Sequence, residues 1–258
     1  MQKRCIYVDE FDLIRPENIF KATFCCSYFS SLADYKEIIK YLHPQEHNYY
    51  NTLKHEKRIR SYLMGRFVAK KAVAALSGKE NLTNIYIQPG IFTQPIVVSD
   101  KQNIQVSITH CDDFGAGLAF PEAHPMGIDL EKISHDKRYV LERQITKAEK
   151  ELISSCPFSY MAGLTLLWTV KEALSKVLKT GLMTPFEVFE ISKIELYDEY
   201  AICYYQNFTQ YKAISFTVYR YMCSIVHPLK TKIQLDIPSF KKNFAFIESL
   251  NEVEITVL

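Results

Sequence analysis

Two acidic side chains two residues apart stand in the segment Gly127-Ile-Asp129-Leu-Glu131. If this segment is a strand, its alternation places Asp129 and Glu131 on one face and the two aliphatic residues on the other. Two carboxylates on one face could form one wall of a site for a hard cation, which prefers oxygen ligands. The same acid-x-acid pattern occurs elsewhere in the chain, so this segment alone favours a strand with a solvated face.

A second set of polar side chains lies on a predicted helix. Apolar residues recur at helical spacing from about residue 160 to residue 178, and we expect Gly181 to be the left-handed residue that ends this helix. Trp168, Glu172 and Lys176 follow at four-residue intervals and therefore form one stripe. Such a stripe could serve a reaction, or it could be an ordinary exposed Glu–Lys helix pair.

Basic residues mark another predicted helix, from about residue 56 to residue 76, which Gly78 should end. Arg58 and Arg66 lie two turns apart on it, and Lys70 follows one turn later. This face could hold phosphate groups or could simply be solvated. His110 stands at the end of a predicted strand over 104–108, before a turn at 112–113 and a returning strand over 117–120, where a histidine could be structural or catalytic.

Together these segments resemble the Sfp-type 4′-phosphopantetheinyl transferases, whose signature is a G-[IV]-D-x-E strand followed by W-x-x-K-E-A-x-x-K. The first motif stands here at residues 127–131 and the second at residues 168–176. Further matches are Gly65-Arg66 with Lys70 on the first helix, the strand that ends in Thr109-His110, and the late run Ile-Val-His-Pro at 225–228. The resemblance therefore spans most of the chain.

The resemblance implies an α+β fold of two similar α/β halves, related by a pseudo-twofold axis, with coenzyme A in the cleft between them. Prolines at positions 121 and 125 resist both a helix interior and a central strand, so we place the division there. The first half, residues 1–123, would contact the coenzyme A nucleotide. The second half, residues 124–258, would carry the metal site and the carrier-protein contacts. Strands are predicted in it at 188–191, 201–205, 214–219 and 233–237.

The activity implied is transfer of the 4′-phosphopantetheine moiety of coenzyme A to a serine of an apo acyl or peptidyl carrier protein, which releases adenosine 3′,5′-bisphosphate. The resemblance implies Mg²⁺, with Mn²⁺ as an alternative ion, bound by Asp129, Glu131 and Glu172. It also implies phosphate contacts from Lys176, Thr109 and His110, and contacts to the 3′-phosphate from Arg58 and Arg66. Catalysis would involve Glu172, Glu131 and Lys176, and either glutamate could accept the serine proton.

The sequence departs from the family pattern at three places. A G-K-P turn appears as Thr93-Gln94-Pro95, the second serine of a Ser-His-Ser motif is Cys111, and a Gly-x-Gly after the motif helix begins with Lys179. These changes affect the expected phosphate contacts and a loop. They leave the three acids intact.

Two other functions fit part of the pattern. A metal-dependent hydrolase of coenzyme A or another pyrophosphate would also use three carboxylates beside a basic cleft. A non-catalytic homologue that binds carrier proteins could have kept the fold, although the intact acids argue against this reading. The sequence does not distinguish a carrier of fatty acid, polyketide or non-ribosomal peptide synthesis.

Charge, cysteine spacing and the N-terminal residues indicate which partners and which cellular location to expect. The formal charge of +2 does not indicate nucleic-acid binding, and the seven cysteines form no Cys-x-x-Cys pair. Acids near the start, in residues 1–12, stand where a secretory signal needs apolar residues. We therefore expect a cytoplasmic monomer with reduced thiols and no membrane partner.

An acidic carrier could dock on the basic residues that follow the predicted metal-binding strand. These residues are Lys132, Lys137, Arg138, Arg143, Lys147 and Lys150. Alternatively, Glu142, Glu149 and Glu151 neutralise this segment locally.

Overall fold

The computed structural model describes residues 5–98 and 103–245, without the side chain of Leu182. The first four residues of the N-terminal segment and the last thirteen of the predicted second half lie outside the described residues. No helix in the described ranges is both long and apolar enough to cross a membrane.

The first half combines antiparallel strands with one long helix. Its elements are β1 (Cys5–Ile14), β2 (Ile19–Tyr28), α1 (Leu32–Ile38), α2 (Pro44–Tyr50), α3 (Glu56–Ser77), β3 (Tyr86–Pro89), β4 (Pro95–Val98), β5 (Ile104–Cys111) and β6 (Phe114–Pro121). Strands β1, β2, β6 and β5 are neighbours in this order in one sheet, and β3 pairs with β4. Helix α3 packs against β2, β5 and β6 and ends at Gly78, whose φ of 69° is the left-handed conformation expected there.

The second half repeats this plan. It contains β7 (Gly127–Lys132), α4 (Arg138–Glu142), α5 (Lys147–Ser154), α6 (Tyr160–Leu178), β8 (Ile191–Leu196), β9 (Ala201–Tyr205), β10 (Tyr211–Val218) and β11 (Tyr221–Pro228). The strand order is β7-β11-β10-β9-β8, and α6 packs against β7 and β11. The order β2-β6-β5 around α3 thus corresponds to β7-β11-β10 around α6. The predicted α+β fold of two similar halves is confirmed.

The last described segment returns to the first half. Strand β12 (Lys232–Ile233) pairs with β1, and α7 (Ile237–Asn243) packs beside β1. The segment that follows β11 therefore contributes to the sheet of the first half, although it lies after the predicted division at residue 123. The division into 1–123 and 124–258 stays a prediction.

The largest hydrophobic core belongs to both halves. Phe24 and Leu118 of the first sheet lie in one cluster with Ile128 and Ile225 of the second sheet, and α7 adds Phe240. Each long helix also covers a cluster of its own, α3 in the first half and α6 in the second. The two halves are thus joined by a common interior.

Several local predictions are confirmed and three are wrong. Both long helices, the β5–β6 hairpin and the strand over 201–205 are confirmed. The left-handed residue that ends α6 is Lys179, with a φ of 58°, and not Gly181. The predicted strand at 188–191 is largely a 3₁₀ turn, and β8 begins only at Ile191. The predicted strand at 233–237 is a two-residue strand followed by α7, because Asp236 caps that helix and Pro238 fits its first turn.

Candidate active site between the two halves

Strand β7 brings the two acids of the first motif to the cleft. It pairs with β11 along one edge, and its other edge faces β5 of the first half. Asp129 is buried and Glu131 is half-buried, and both side chains approach polar groups of β5. The predicted strand and its alternation are confirmed, and they place both acids on one side of the strand.

Asp129 is held through one of its two carboxylate oxygens. Thr109 Oγ1 donates a hydrogen bond to Oδ1 over 2.8 Å, and Lys176 Nζ donates to the same oxygen over 2.7 Å. Lys176 also donates to the backbone oxygen of Ile128, at 2.9 Å. The second oxygen, Oδ2, is buried and has no hydrogen-bond partner among the described residues. Asp129 therefore keeps one acceptor oxygen available inside the site.

Glu172 lies close to both acids of β7. Its side chain is half-buried on α6, one turn before Lys176. Burial, together with the negative charges of Asp129 and Glu131, raises the pKa of Glu172 to about 7, although the charge of Lys176 opposes this shift. Three carboxylates are thus brought near one another with too little positive charge to balance them.

The three carboxylates suit a hard cation by their chemistry, but they are not assembled around one point. Glu131 forms an ion pair with Lys137, and Asp129 with Lys176. Among the described residues, no three His, Cys, Asp or Glu side chains are arranged to hold a metal ion together. The partnerless Oδ2 of Asp129 and the mutual repulsion at Glu172 are what a bound cation would relieve. The metal ligands stay a prediction that fits this site.

A cavity of about 410 Å³ opens beside these acids, and its walls come from both halves. Most of the predicted site residues line it, namely Arg66, Thr109, His110, Asp129, Glu131 and Lys176. His110 Nε2 lies 2.6 Å from Ser61 Oγ of helix α3. Burial lowers the pKa of His110, and the charge of Lys176 lowers it further. His110 can therefore serve the cavity wall as a hydrogen-bonding group.

The two arginines expected at the 3′-phosphate line different cavities. Arg66 lies over the ring of Tyr62, at 4.9 Å from the ring centroid, with its Nε 3.7 Å from Glu46 Oε1. Arg58 is exposed and lines a larger neighbouring cavity. Eight residues along an α-helix span about 12 Å, which explains the separation. The structure thus brings Arg66, but not Arg58, to the cavity that contains Asp129.

The departures from the family pattern surround the same cleft. Gln94 and Lys179 line a third cavity, of about 390 Å³, which shares Lys176 with the cavity beside the acids. Gln94 Oε1 accepts a hydrogen bond from the backbone of Phe92 over 2.9 Å, within the turn between β3 and β4. Cys111 lies next to Glu131. Each substitution therefore alters the wall of a cavity and leaves the acids in place.

Lys171, the remaining lysine of the second motif, points into the protein interior. Its Nζ donates to Glu149 Oε2 over 2.7 Å and to the backbone oxygen of Gln144 over 3.0 Å. The first half has the same arrangement, in which Lys70 pairs with Glu46 and donates to a backbone oxygen. Both glutamates occupy the fourth position of a helix capping box, so Thr-x-x-Glu at 146–149 was the sequence signal.

Comparison with known proteins supports the family expected from the motifs. The model of the 4′-phosphopantetheinyl transferase superfamily matches residues 125–224. A 4′-phosphopantetheinyl transferase, gsp, from Aneurinibacillus migulanus is 27% identical over 183 residues, which are 67% of this chain and 73% of that protein. A crystal structure of a holo-(acyl-carrier-protein) synthase from Bacillus anthracis in complex with CoA (3′,5′-ADP) is 19% identical and covers 45% of this chain and 94% of its own, with a TM-score of 0.31. The segment that carries both motifs is thus similar to the 4′-phosphopantetheinyl transferase superfamily, and the resemblance predicted from the motifs is confirmed.

Proposed function

We propose that this protein transfers the 4′-phosphopantetheine group of coenzyme A to a serine of a carrier protein, with adenosine 3′,5′-bisphosphate as the second product. The observation that carries the proposal is that Asp129, Glu131 and Lys176 line one cavity between the halves. Glu172 lies close to all three charged groups, although it does not itself line the cavity. The relative from Aneurinibacillus migulanus, named for this activity, supports the same reaction.

Coenzyme A would bind with its pyrophosphate near Lys176. The ammonium group of Lys176 has three N–H donors, and the contacts to Asp129 and Ile128 account for two. Lys176 also borders both cavities, so one lysine can contact a phosphate chain that runs between them. Arg66 and His110 add further donors for phosphate oxygens along the cavity wall.

A magnesium ion held by Asp129, Glu131 and Glu172 would supply positive charge against the pyrophosphate oxygens. In the reaction, the serine oxygen bonds to the phosphorus that carries the pantetheine arm. The bond from that phosphorus to the bridging oxygen breaks, and that oxygen leaves on adenosine 3′,5′-bisphosphate. Lys176 stabilises the negative charge of the leaving group. The serine proton passes to Glu172 or Glu131.

The carrier would approach from the α4–α5 side of the second half. Lys137, Arg138 and Lys147 each have an acidic partner on this surface. Arg143 and Lys150 are exposed, and Arg143 lies over the ring of Tyr139. These two residues leave positive charge available for an acidic partner. Both walls of the cleft come from one chain, so a monomer is sufficient for the reaction.

The decisive experiment is an incubation with coenzyme A, MgCl₂ and an apo-carrier, followed by intact-mass measurement of the carrier. We expect the carrier to gain one phosphopantetheine group, and Asp129→Asn or excess chelator to prevent this. Asp198→Asn is the matched control, because Asp198 is an exposed residue of the β8–β9 turn. Cleavage of coenzyme A without any gain in carrier mass would refute transfer and identify a hydrolase.

A further inference from the structure

The facing edges of β5 and β7 are joined by side chains, although the two strands lie in different sheets. Every second residue of β5 from Ser107 to Cys111 accepts a hydrogen bond from a backbone N–H of β7. The pairs are Ser107 Oγ with Ile128 N at 3.1 Å, Thr109 Oγ1 with Leu130 N at 3.2 Å, and Cys111 Sγ with Lys132 N at 3.3 Å. We call these three contacts the seam.

The seam supplies hydrogen-bond acceptors to the buried edge of β7. The N–H groups of β7 that point away from β11 lack a paired strand, and a buried N–H without an acceptor destabilises the fold. Residues two apart project from the same side of a strand, so a repeat of two on β5 matches the repeat of two on β7. The seam therefore fixes how the second half sits along the first.

Two seam residues also contact the acids of the site. The hydroxyl of Thr109 donates to Asp129 Oδ1 over 2.8 Å, and the thiol of Cys111 approaches Glu131 Oε2 at 3.7 Å. Ser107 holds the backbone of β7 in the same way but makes no hydrogen bond to a carboxylate among the described residues. All three residues thus join the two halves, but only Thr109 and Cys111 also contact an acid of the site.

A threonine hydroxyl has one proton, and Thr109 donates it to Asp129. No proton is left for a phosphate oxygen, which can only accept. We propose that Thr109 is a positioning residue that holds Asp129 by Oδ1 and leaves Oδ2 for a cation, rather than a contact to coenzyme A. Cys111 supports Glu131 through a weaker thiol contact. This inference rests on the proposed function, because it assigns Asp129 to a metal site.

The test compares Thr109→Val, Thr109→Ser and Ser107→Ala. Binding of Mn²⁺ alone is measured by electron paramagnetic resonance, and binding of coenzyme A without metal is measured by calorimetry. Loss of a group that orients a metal ligand commonly lowers metal affinity about 10–100-fold. We expect Thr109→Val to weaken Mn²⁺ binding by at least about 10-fold, to lower kcat, and to keep the wild-type affinity for coenzyme A. Thr109→Ser, which keeps the hydroxyl, should have wild-type values for Mn²⁺ binding, kcat and coenzyme A affinity.

Ser107→Ala is the matched control, because it also removes a seam acceptor for a β7 N–H. It should lower the urea midpoint as Thr109→Val does, yet bind Mn²⁺ as the wild type does. If Thr109→Val unfolds, Thr109→Ala with the same comparison replaces it. Wild-type Mn²⁺ affinity with weakened coenzyme A binding in these Thr109 variants would overturn the proposal and make Thr109 a phosphate contact. Equal loss of Mn²⁺ affinity in Ser107→Ala would overturn it in favour of a general effect of the seam. A wild type that binds no Mn²⁺ would refute the metal assignment of the proposed function itself.

Discussion

Removing the buried Lys171–Glu149 ion pair should damage stability rather than catalysis. Both side chains are at most 1% exposed. Glu149 also accepts backbone hydrogen bonds from Thr146 at 2.8 Å and from Ile191 at 2.9 Å. Lys171→Met therefore leaves a buried carboxylate with two backbone donors. Glu149→Leu leaves a buried ammonium whose remaining acceptor is the Gln144 backbone oxygen, and it leaves two backbone N–H groups without an acceptor.

These contacts set the expected magnitudes. Breaking a buried ion pair from one side typically costs about 3–5 kcal/mol, and each buried N–H left without an acceptor costs about 1–3 kcal/mol. We expect Lys171→Met to lower the free energy of unfolding by about 3 kcal/mol and Glu149→Leu to lower it by at least about 5 kcal/mol. The double variant removes both charges, leaves the two N–H groups without an acceptor and removes the lysine donor to the Gln144 oxygen. It should lose about 2–6 kcal/mol, without the additional cost of an unpaired buried charge. It should thus be more stable than Glu149→Leu alone.

Urea unfolding followed by tryptophan fluorescence measures these differences, because Trp168 is the one tryptophan in the sequence and stacks on Phe186 within the same half. Lys70→Met should cost about as much as Lys171→Met, since it breaks the equivalent pair. Lys193→Met, which breaks an exposed pair with Glu195, should cost less than about 1 kcal/mol. A Lys171→Met variant with wild-type stability and no transfer activity would refute this reasoning and place Lys171 in the reaction.

Three further predictions concern coenzyme A, the carrier and acid stability. Arg66→Ala should reduce the preference for coenzyme A over dephospho-coenzyme A more than Arg58→Ala does, because a hydrogen bond to a charged group contributes about 1.5–3 kcal/mol. Calorimetry measures the affinity for both ligands. The same preference in wild type and both variants would contradict any role of these arginines at the 3′-phosphate. Reversing Arg143 and Lys150 to Glu should raise the KM for the carrier and weaken its salt dependence, and the KM for coenzyme A should not change. The reason is that exposed charges act on the carrier from the surface and are screened beyond about 10 Å at 0.1 M salt. Wild-type carrier constants would place docking elsewhere. Lowering the pH from 6.5 to 5 should reduce the free energy of unfolding by about 2 kcal/mol through His227. Burial lowers the pKa of His227 to about 3, so only the unfolded chain takes up the proton in this range. A His227→Gln variant that loses stability as steeply as the wild type would assign the loss to other groups.

The alignment of the acids could be predicted because short-range periodicity fixes it, whereas their role in a site was predicted from the resemblance of the two motifs. The repeat of two along β7 aligns Asp129 with Glu131, and the repeat of four along α6 aligns Glu172 with Lys176. Lys171 precedes Glu172 directly, but one residue turns an α-helix by about 100°, so its side chain enters the interior. Its partner lies on another helix, and no spacing within the motif predicts that contact.

The seam and the C-terminal segment were beyond sequence reasoning for different reasons. Contacts of Thr109 with β7 arise between edges of two sheets, and their formation depends on how the halves pack. Alternating Ile233, Leu235 and Ile237 are typical of a strand, but the cap at Asp236 begins a helix instead. Strands β1 and β2 were not predicted, because acids interrupt the apolar pattern of β1.

The core shared by both sheets restricts the motions of this protein. Phe24, Leu118, Ile128 and Ile225 pack behind the cleft, and α7 closes the cluster with Phe240. Two halves joined by a large apolar interior cannot rotate about a hinge without exposing it to water. We therefore expect the cleft to widen through side chains at its rim, and amide hydrogen exchange should show both sheets opening together as one cooperative unit.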